Sequence, residues 1–235
     1  MANGIKIGTN SIGGVYIGTS SASSVYLGTT LIYSGGTPPT PPTPSYNYIT
    51  YEASAKLTET TNQYSSGLHT NAFSGASGQL TMTSHTFENG VGTVEFNGDI
   101  TSVGGYAFYS ATTMTNVSLP DSVTSIGEHA FSWCTSLTSL DIPDSVTSIG
   151  AIMIDGSGIQ TITIGSGITY IDSCGLCCEN LTNGVTIKAV NPPTIPNCAW
   201  IFAVQSFIYV PAESVTAYQN DQCWSAYAQG ILPIT

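Results

Sequence analysis

The segment Pro120-Asp121-Ser122-Val123-Thr124-Ser125-Ile126-Gly127 recurs residue for residue as Pro143-Asp144-Ser145-Val146-Thr147-Ser148-Ile149-Gly150, 23 positions further on. A fixed period of roughly 20–50 residues builds a stack of supersecondary units, because one unit cannot bury its apolar side alone and must pack it on a neighbour. The apolar residue of the Val-Thr-Ser-Ile-Gly step falls at Leu80, Val103, Ile126, Ile149, Ile171 and Ile195. A second marker, an apolar-x-apolar triplet, reads Val94-Glu95-Phe96, Val117-Ser118-Leu119, Leu140-Asp141-Ile142, Ile162-Thr163-Ile164, Val185-Thr186-Ile187 and Ile208-Tyr209-Val210. The two markers stay in phase over six turns, which chance alternation would not do.

Each triplet reads as a short strand. Period-two alternation turns its outer residues inward and its middle residue outward. Consecutive strands running the same way predict a parallel sheet whose open face carries Glu95, Ser118, Asp141, Thr163, Thr186 and Tyr209 as a ladder. A third position pairs a small residue with an aromatic one, at Thr86-Phe87, Ala107-Phe108, Ala130-Phe131 and Ala199-Trp200, and is expected to plug the interior of each coil. The fold class is therefore mainly β, a solenoid with a capping segment, preceded by a short β-rich module and a Pro-rich stalk.

From Val123 to Pro143 the chain reads Val-Thr-Ser-Ile-Gly-x-x-Ala-Phe-x-x-Cys-x-x-Leu-x-x-Leu-x-Ile-Pro. This resembles the BspA-type leucine-rich repeat. The end, Ile208-Tyr209-Val210-Pro211-Ala212-Glu213-Ser214-Val215, then Tyr218, Trp224-Ser225-x-Tyr227 and Ile231-x-Pro233-Ile234, resembles the segment that closes such arrays. The resemblance covers about residues 80–235 and implies a leucine-rich-repeat solenoid used in adhesion and surface recognition. Residues 149–181 depart from the pattern. Met153-Ile154 replaces Ala-Phe, and the next turn carries Cys174-Gly-Leu-Cys177-Cys178, so those turns are expected to differ in shape.

The front of the chain is a different object. Lys6-Ile7-Gly8-Thr9, Tyr16-Ile17-Gly18-Thr19 and Tyr26-Leu27-Gly28-Thr29 repeat every ten residues, each a β-run ending at a Gly turn. Such a short segment has too little apolar surface to fold alone, and unpaired strand edges offer a route to self-association. Ile7, Tyr16, Ile17, Tyr26, Leu27, Ile32 and Tyr33 are the expected oligomerisation and anchoring residues. A Thr/Pro run over 37–46 then reads as a polyproline II spacer. The domain plan is thus 1–36 anchoring module, 37–46 linker, 47–79 N-terminal cap of the solenoid and 80–235 solenoid with C-terminal cap.

Val-Tyr-Leu-Gly-Thr-x-x-Ile-Tyr-Ser-Gly over residues 25–35, with Ile49-Thr50-Tyr51-x-Ala53, Gly67-Leu68-His69-Thr70 and Ser84-His85-Thr86-Phe87, resembles N-terminal segments of virion-associated proteins of gut bacteriophages. The resemblance implies a virion-surface fibre or decoration protein. Its base would hold other virion proteins and form a homo-oligomer, expected to be a trimer, and its repeats would be a displayed head. The start, Met1-Ala-Asn-Gly-Ile-Lys-Ile-Gly-Thr9, lacks the basic and apolar regions of a secretory signal, which a protein released by lysis would not need. The alternative is a bacterial cell-surface adhesin.

A net charge of −11 with three lysines and no arginine argues against nucleic acid, whose phosphates need a basic footprint, and against anionic lipid. No stretch approaches the roughly 18–20 apolar residues of a membrane span, so no membrane insertion is expected. Nor are a cofactor and metal expected: Cys174-x-x-Cys177-Cys178 lacks the matching second pair of a zinc site, with Cys198 and Cys223 the remaining downstream candidates. The six cysteines read as small buried hydrophobes, with a disulfide among them left open.

Enzymatic chemistry is not expected. His85 and His129 each precede an aromatic plug by two positions and read as one repeat slot, and His69 as a turn residue. A hydrolase could use Glu95 and Asp141, but two strands apart on an open sheet they would lie about 10 Å from each other, outside the roughly 5–9.5 Å of paired glycosidase carboxylates. Asp121, Asp144, Asp155 and Asp172 read as turn residues. If the ladder binds glycan, Tyr209 and Trp224 offer aromatic faces and Ser118, Thr163 and Thr186 offer hydroxyls; the competing reading is that these are ordinary solvated strand positions.

Overall fold

The computed structural model describes residues 47–62, 65–198, 202 and 207–235, together with the backbone of four short strands before them. The chain divides into two compact units, 1–45 and 46–235. In the first unit Ile5–Ile7 pairs antiparallel with Asn10–Ile12, and Ser24–Leu27 with Thr30–Ser34. Ile32 and Tyr33 lie on the second strand of the latter pair. Tyr16, Ile17 and the 37–46 linker lie outside the described residues.

The second unit is dominated by parallel pairing one repeat apart, along three tracks. On the first, Ser102–Val103, Ser125–Ile126, Ser148–Ile149 and Tyr170–Ile171 stack in register, and Tyr170 bridges onward to Thr194. The second runs through Ser139–Ile142, Thr161–Ile164, Val185–Ile187, Ile208–Val210 and Ile231–Pro233. The third is made of turns joined by backbone bonds: the N–H groups of Tyr106, Phe108 and Ser110 donate to the carbonyls of Glu128, Ala130 and Ser132, and those of His129, Phe131 and Trp133 to Ala151, Met153 and Asp155.

The motif explains itself in this geometry. Val123, Ile126, Phe131, Leu137, Leu140 and Ile142 all point into one core and are buried. Phe108 and Phe131 stack at 5.4 Å with planes 7° apart. Met153 and Ile154 take the same slots one turn later, both fully buried; the Met153 carbonyl accepts the Phe131 N–H, and Ile152 and Gly156 keep the positive φ of this corner, so the change there is in the side chains. The Thr of the motif binds the previous turn: Thr124, Thr147 and Thr169 hydroxyls donate to the carbonyls of Thr101, Thr124 and Thr147 at 3.0–3.1 Å. The motif glycine is required by close approach. A Cβ on Gly127 would stand 2.4 Å from the Gly105 nitrogen, and one on Gly150 2.5 Å from the Glu128 nitrogen.

The expected register fails at the front. Strand Tyr48–Ala53 lies between Val91–Phe96 and Met114–Ser118 and is antiparallel to both. Val94-Glu95-Phe96 and Val117-Ser118 therefore lie in an antiparallel sheet, outside the parallel ladder that begins at Ser139–Ile142. Leu80 is not the first step of the other marker either, since Ser102–Val103 pairs antiparallel with Phe73–Gly75. Thr86-Phe87 lies on strand Met82–Glu88, a hairpin partner of Val91–Phe96. Thr86 is exposed and Phe87 only half-buried, so this pair is no coil plug. The physical reason is that the first repeat has no earlier copy to pair with, and unlike strands from the front of the unit cover its open end.

At the other end, Val215–Asn220 forms a short helix. Tyr218 donates to the Ala189 carbonyl at 2.9 Å and Trp224 Nε1 to the Pro193 carbonyl at 2.7 Å. Asp221 accepts from the Cys223 and Trp224 N–H groups at 2.8 and 3.1 Å, and a disulfide joins Cys198 to Cys223. Ile231–Pro233 ends its sheet, and Pro233 withholds a donor from that edge.

Candidate recognition surface

The second track places Asp141, Thr163, Thr186, Tyr209 and Leu232 opposite one another on successive strands. At about 4.8 Å per strand the row spans roughly 19 Å. Asp141 is exposed, and Thr163, Thr186 and Tyr209 are half-exposed. At the Asp141 end the row opens into a groove of about 510 Å³ lined by Ser118, Asp121, Asp141, Asp144, Thr163 and Lys188 among others. Three carboxylates, two hydroxyls and one ammonium thus share a shallow polar floor. Asp144 is partly engaged, accepting the Ser166 N–H at 2.8 Å, and Asp172 accepts the Ser173 N–H at 2.6 Å, as expected of turn aspartates.

Two of the expected ligand-facing residues do not belong there. Glu95 is exposed but sits opposite Tyr48, with strand Tyr48–Ala53 separating it from Ser118. Glu95 and Asp141 therefore lie in different sheets and do not share the ladder expected of them. Trp224 is fully buried. Its ring packs edge-on to Tyr218 at 5.2 Å and to Phe202 at 6.5 Å, so it closes the core of the cap and offers no face to a ligand. Ala199-Trp200 lies outside the described residues.

His85 and His129 do not share a repeat slot. His129 aligns with Tyr106, one repeat earlier, and both have positive φ, 53° and 61°. The side chain of His85 is 1% exposed and lies in a network that runs from the Leu57 backbone out to the exposed Glu59. Glu59 Oε1 can only accept, so His85 Nδ1 donates to it at 2.8 Å. The neutral ring then accepts at Nε2 from the Tyr51 hydroxyl at 2.7 Å, and the Tyr51 oxygen accepts the Leu57 N–H at 3.0 Å. Burial holds the His85 imidazole below its usual range, opposed by the bond to Glu59; Glu59 itself is lowered chiefly by His85. Tyr51 packs where Gly92 has no side chain: a Cβ there would stand 2.0 Å from the Tyr51 ring. His69 donates Nε2–H to the Ser65 carbonyl at 2.7 Å, and burial lowers its imidazole too. The only sign of this network in the sequence is the alternation Ile49-x-Tyr51-x-Ala53.

Cys174 and Cys177 form a second disulfide, which removes that pair from metal binding. Cys134 and Cys178 are buried free thiols, and burial pushes the Cys134 thiol up to about 12. No group of His, Cys, Asp or Glu among the described residues is placed to hold a metal ion, and no helix among them is long and apolar enough to cross a membrane.

Residues 101–192 match the family described as the BspA type leucine rich repeat region, in six copies. The matched segment takes in the Val-Thr-Ser-Ile-Gly steps from Val103 to Ile171 and the groove strands. No curated protein matches the chain.

Proposed function

We propose that this chain is a non-enzymatic adhesion protein that presents its repeats as a recognition head, with the Asp141–Thr163–Thr186–Tyr209 row and the groove beside Ser118 as its binding face. The observation that carries this reading is the open, continuous polar row on repeats of the BspA type. Such a face can exchange hydrogen bonds with a hydroxylated ligand such as a cell-surface or mucosal glycan, or with a protein, and no wall excludes water from it as a catalytic site would need. Disulfides at 174–177 and 198–223 support an oxidising, extracellular setting.

The finer reading is display on a virion surface, with residues 1–36 as an anchoring module that trimerises and binds other virion proteins, and residues 37–46 as a spacer. It rests on the base–linker–head order of the sequence. Immunogold electron microscopy of source-culture lysates, with antibody to residues 80–235, tests it. Gold on phage particles supports the fibre; gold on cell envelopes with bare particles makes the protein a cell-surface adhesin. A full-length protein that stays monomeric in light scattering, with no change on deletion of residues 1–36, removes the trimer.

A further inference from the structure

The outer corner of the third track carries rings on a surface where the fold asks for none. Tyr106 and His129 occupy equivalent positions one repeat apart and stack at 4.8 Å with planes 22° apart. Tyr109 stands across both, its centroid 5.5 Å from Tyr106 and 6.4 Å from His129. The imidazole is oriented from beneath. Ser132 is fully buried and spends its one hydroxyl proton on the Ile152 carbonyl at 2.7 Å. It must therefore accept from His129 Nδ1 at 3.2 Å, which leaves Nε2 of the neutral ring as an acceptor.

Beside this column runs another. Ser110, Trp133 and Gly156 are equivalent positions with φ of 53°, 62° and 66°. Large side chains rarely take this conformation, because Cβ crowds the following carbonyl. Ser and Gly at the neighbouring turns show that the stack does not need an aromatic there. Trp133 is nonetheless held there, 49% exposed. A Cβ on Gly156 would stand 2.8–3.0 Å from atoms of the indole, so the ring lies along the Gly156 backbone with one face covered and the other open to solvent. A strained, exposed, pre-positioned indole points to a ligand and not to the core.

We propose that Trp133, with the Tyr106–Tyr109–His129 cluster, forms a binding ledge for the sugar rings of a neutral surface glycan, separate from the polar row. The occupant follows from the chemistry. Rigid aromatic faces match the flat C–H faces of a pyranose at low entropic cost. His129 Nε2 and the exposed Glu128 are acceptors for sugar hydroxyls. A protein of net charge −11 repels a sialylated or phosphorylated glycan. The inference rests on the surface-recognition reading and assigns it a ligand class and a second face.

Titration of the full chain with chitohexaose, mannohexaose and maltohexaose, with 3′-sialyllactose as the anionic control, tests it by calorimetry and tryptophan fluorescence. At least one neutral probe is expected to bind and perturb the indole emission. Trp133→Gly should weaken that binding at least tenfold and Tyr106→Ser at least threefold, while Glu88→Gln, at an exposed position on the front hairpin, leaves it unchanged. The thermal midpoint of Trp133→Gly should stay level or rise, because Gly accepts a φ of 62°; a fall of several degrees would mark Trp133 as structural and sink the proposal. It is equally overturned if no neutral probe binds, if Trp133→Gly binds as wild type, or if the component held through Trp133 proves to be protein. Wild-type adhesion to cells or mucus that survives Trp133→Gly would end the ledge and leave surface recognition standing, whereas absence of any adhesion by the wild type would end both.

Discussion

From Ser102 onward each strand of the first track meets a copy of itself, parallel and in register. Between Tyr48 and Phe96 the strands meet unlike partners, running the other way except where Glu59–Thr60 pairs with Leu68–His69. The two regions hold register by different physics. In the repeats, like stacks on like: Phe108 on Phe131, Ser125 hydroxyl on Ser102 hydroxyl at 2.9 Å, Thr on the carbonyl of the turn before. Hydroxyls do what ion pairs do elsewhere, which accounts for a chain only 7% charged. In the front no translation enforces the pairing, and a Leu57–Tyr51–His85–Glu59 chain of hydrogen bonds, running from the core to the surface, fixes one strand against its hairpin. A fully satisfied polar network of this kind specifies a single arrangement and is costly to leave half-made.

The sharpest break of this comparison uses two phenylalanines that look alike in the sequence. Phe131→Ala, from a fully buried slot, should cost about 3–5 kcal/mol, read as a lower urea midpoint. Phe87→Ala, from a half-buried hairpin position stacked on Tyr51 at 6.2 Å, should cost about 1 kcal/mol. Equal losses would restore Phe87 as a coil plug and undo the antiparallel front.

Reduction sets the C-terminal cap against the repeats. The Cys198–Cys223 bond closes a loop of 25 residues, so a Cys198→Ala/Cys223→Ala variant should lose about 3 kcal/mol by chain-entropy arithmetic. The Cys174–Cys177 bond spans three residues and its removal should matter far less. Denaturant melts of the two double variants check the order.

Acid should act on the front first. His85 and His69 both have imidazoles lowered by burial, so the unfolded chain binds protons more readily than the folded one. The stability they supply is complete above the unfolded histidine pKa, about 6.5, and falls as pH drops through the lowered folded values. Glu59, also lowered, adds a loss in the same direction at lower pH. Protonated at Nε2, His85 would present a second donor to the Tyr51 hydroxyl. Thermal melts between pH 7.5 and 5.5 should show a falling midpoint that His85→Gln flattens; an unflattened slope would assign it to other groups.

The smallest effect is expected on the polar row. Asp141→Asn and Thr163→Ala, at solvent-facing strand positions, should change stability by about 0.5 kcal/mol or less, while lowering adhesion to immobilised mucin if the row binds. Unchanged adhesion for both would return these residues to ordinary solvated positions.

The stack was legible where information is local. A period in the sequence became a spacing in the molecule from Val103 to Ile171, and the alternation of each triplet set Asp141, Thr163 and Thr186 outward because a strand has only two faces. Trp224 shows where that logic stops. The sequence offers it as an aromatic face for a glycan, yet the cap folds back so that its indole N–H reaches the Pro193 carbonyl. The disulfide of Cys198 with Cys223 was equally silent, since spacing does not report proximity until the cap has closed.

What the sequence by itself determined is the repeating core: which residues face inward, how often, and in what direction one turn follows the next. The tertiary structure alone decided how the first turn is covered, which tryptophan is buried and which lies open on Gly156, and which histidine joins a hydrogen-bonded network. The division has one cause. Translation from turn to turn repeats the same short-range contacts and leaves a period in the chain, whereas the front pairing and the cap arise from residues tens of positions apart, met once each, which leave none.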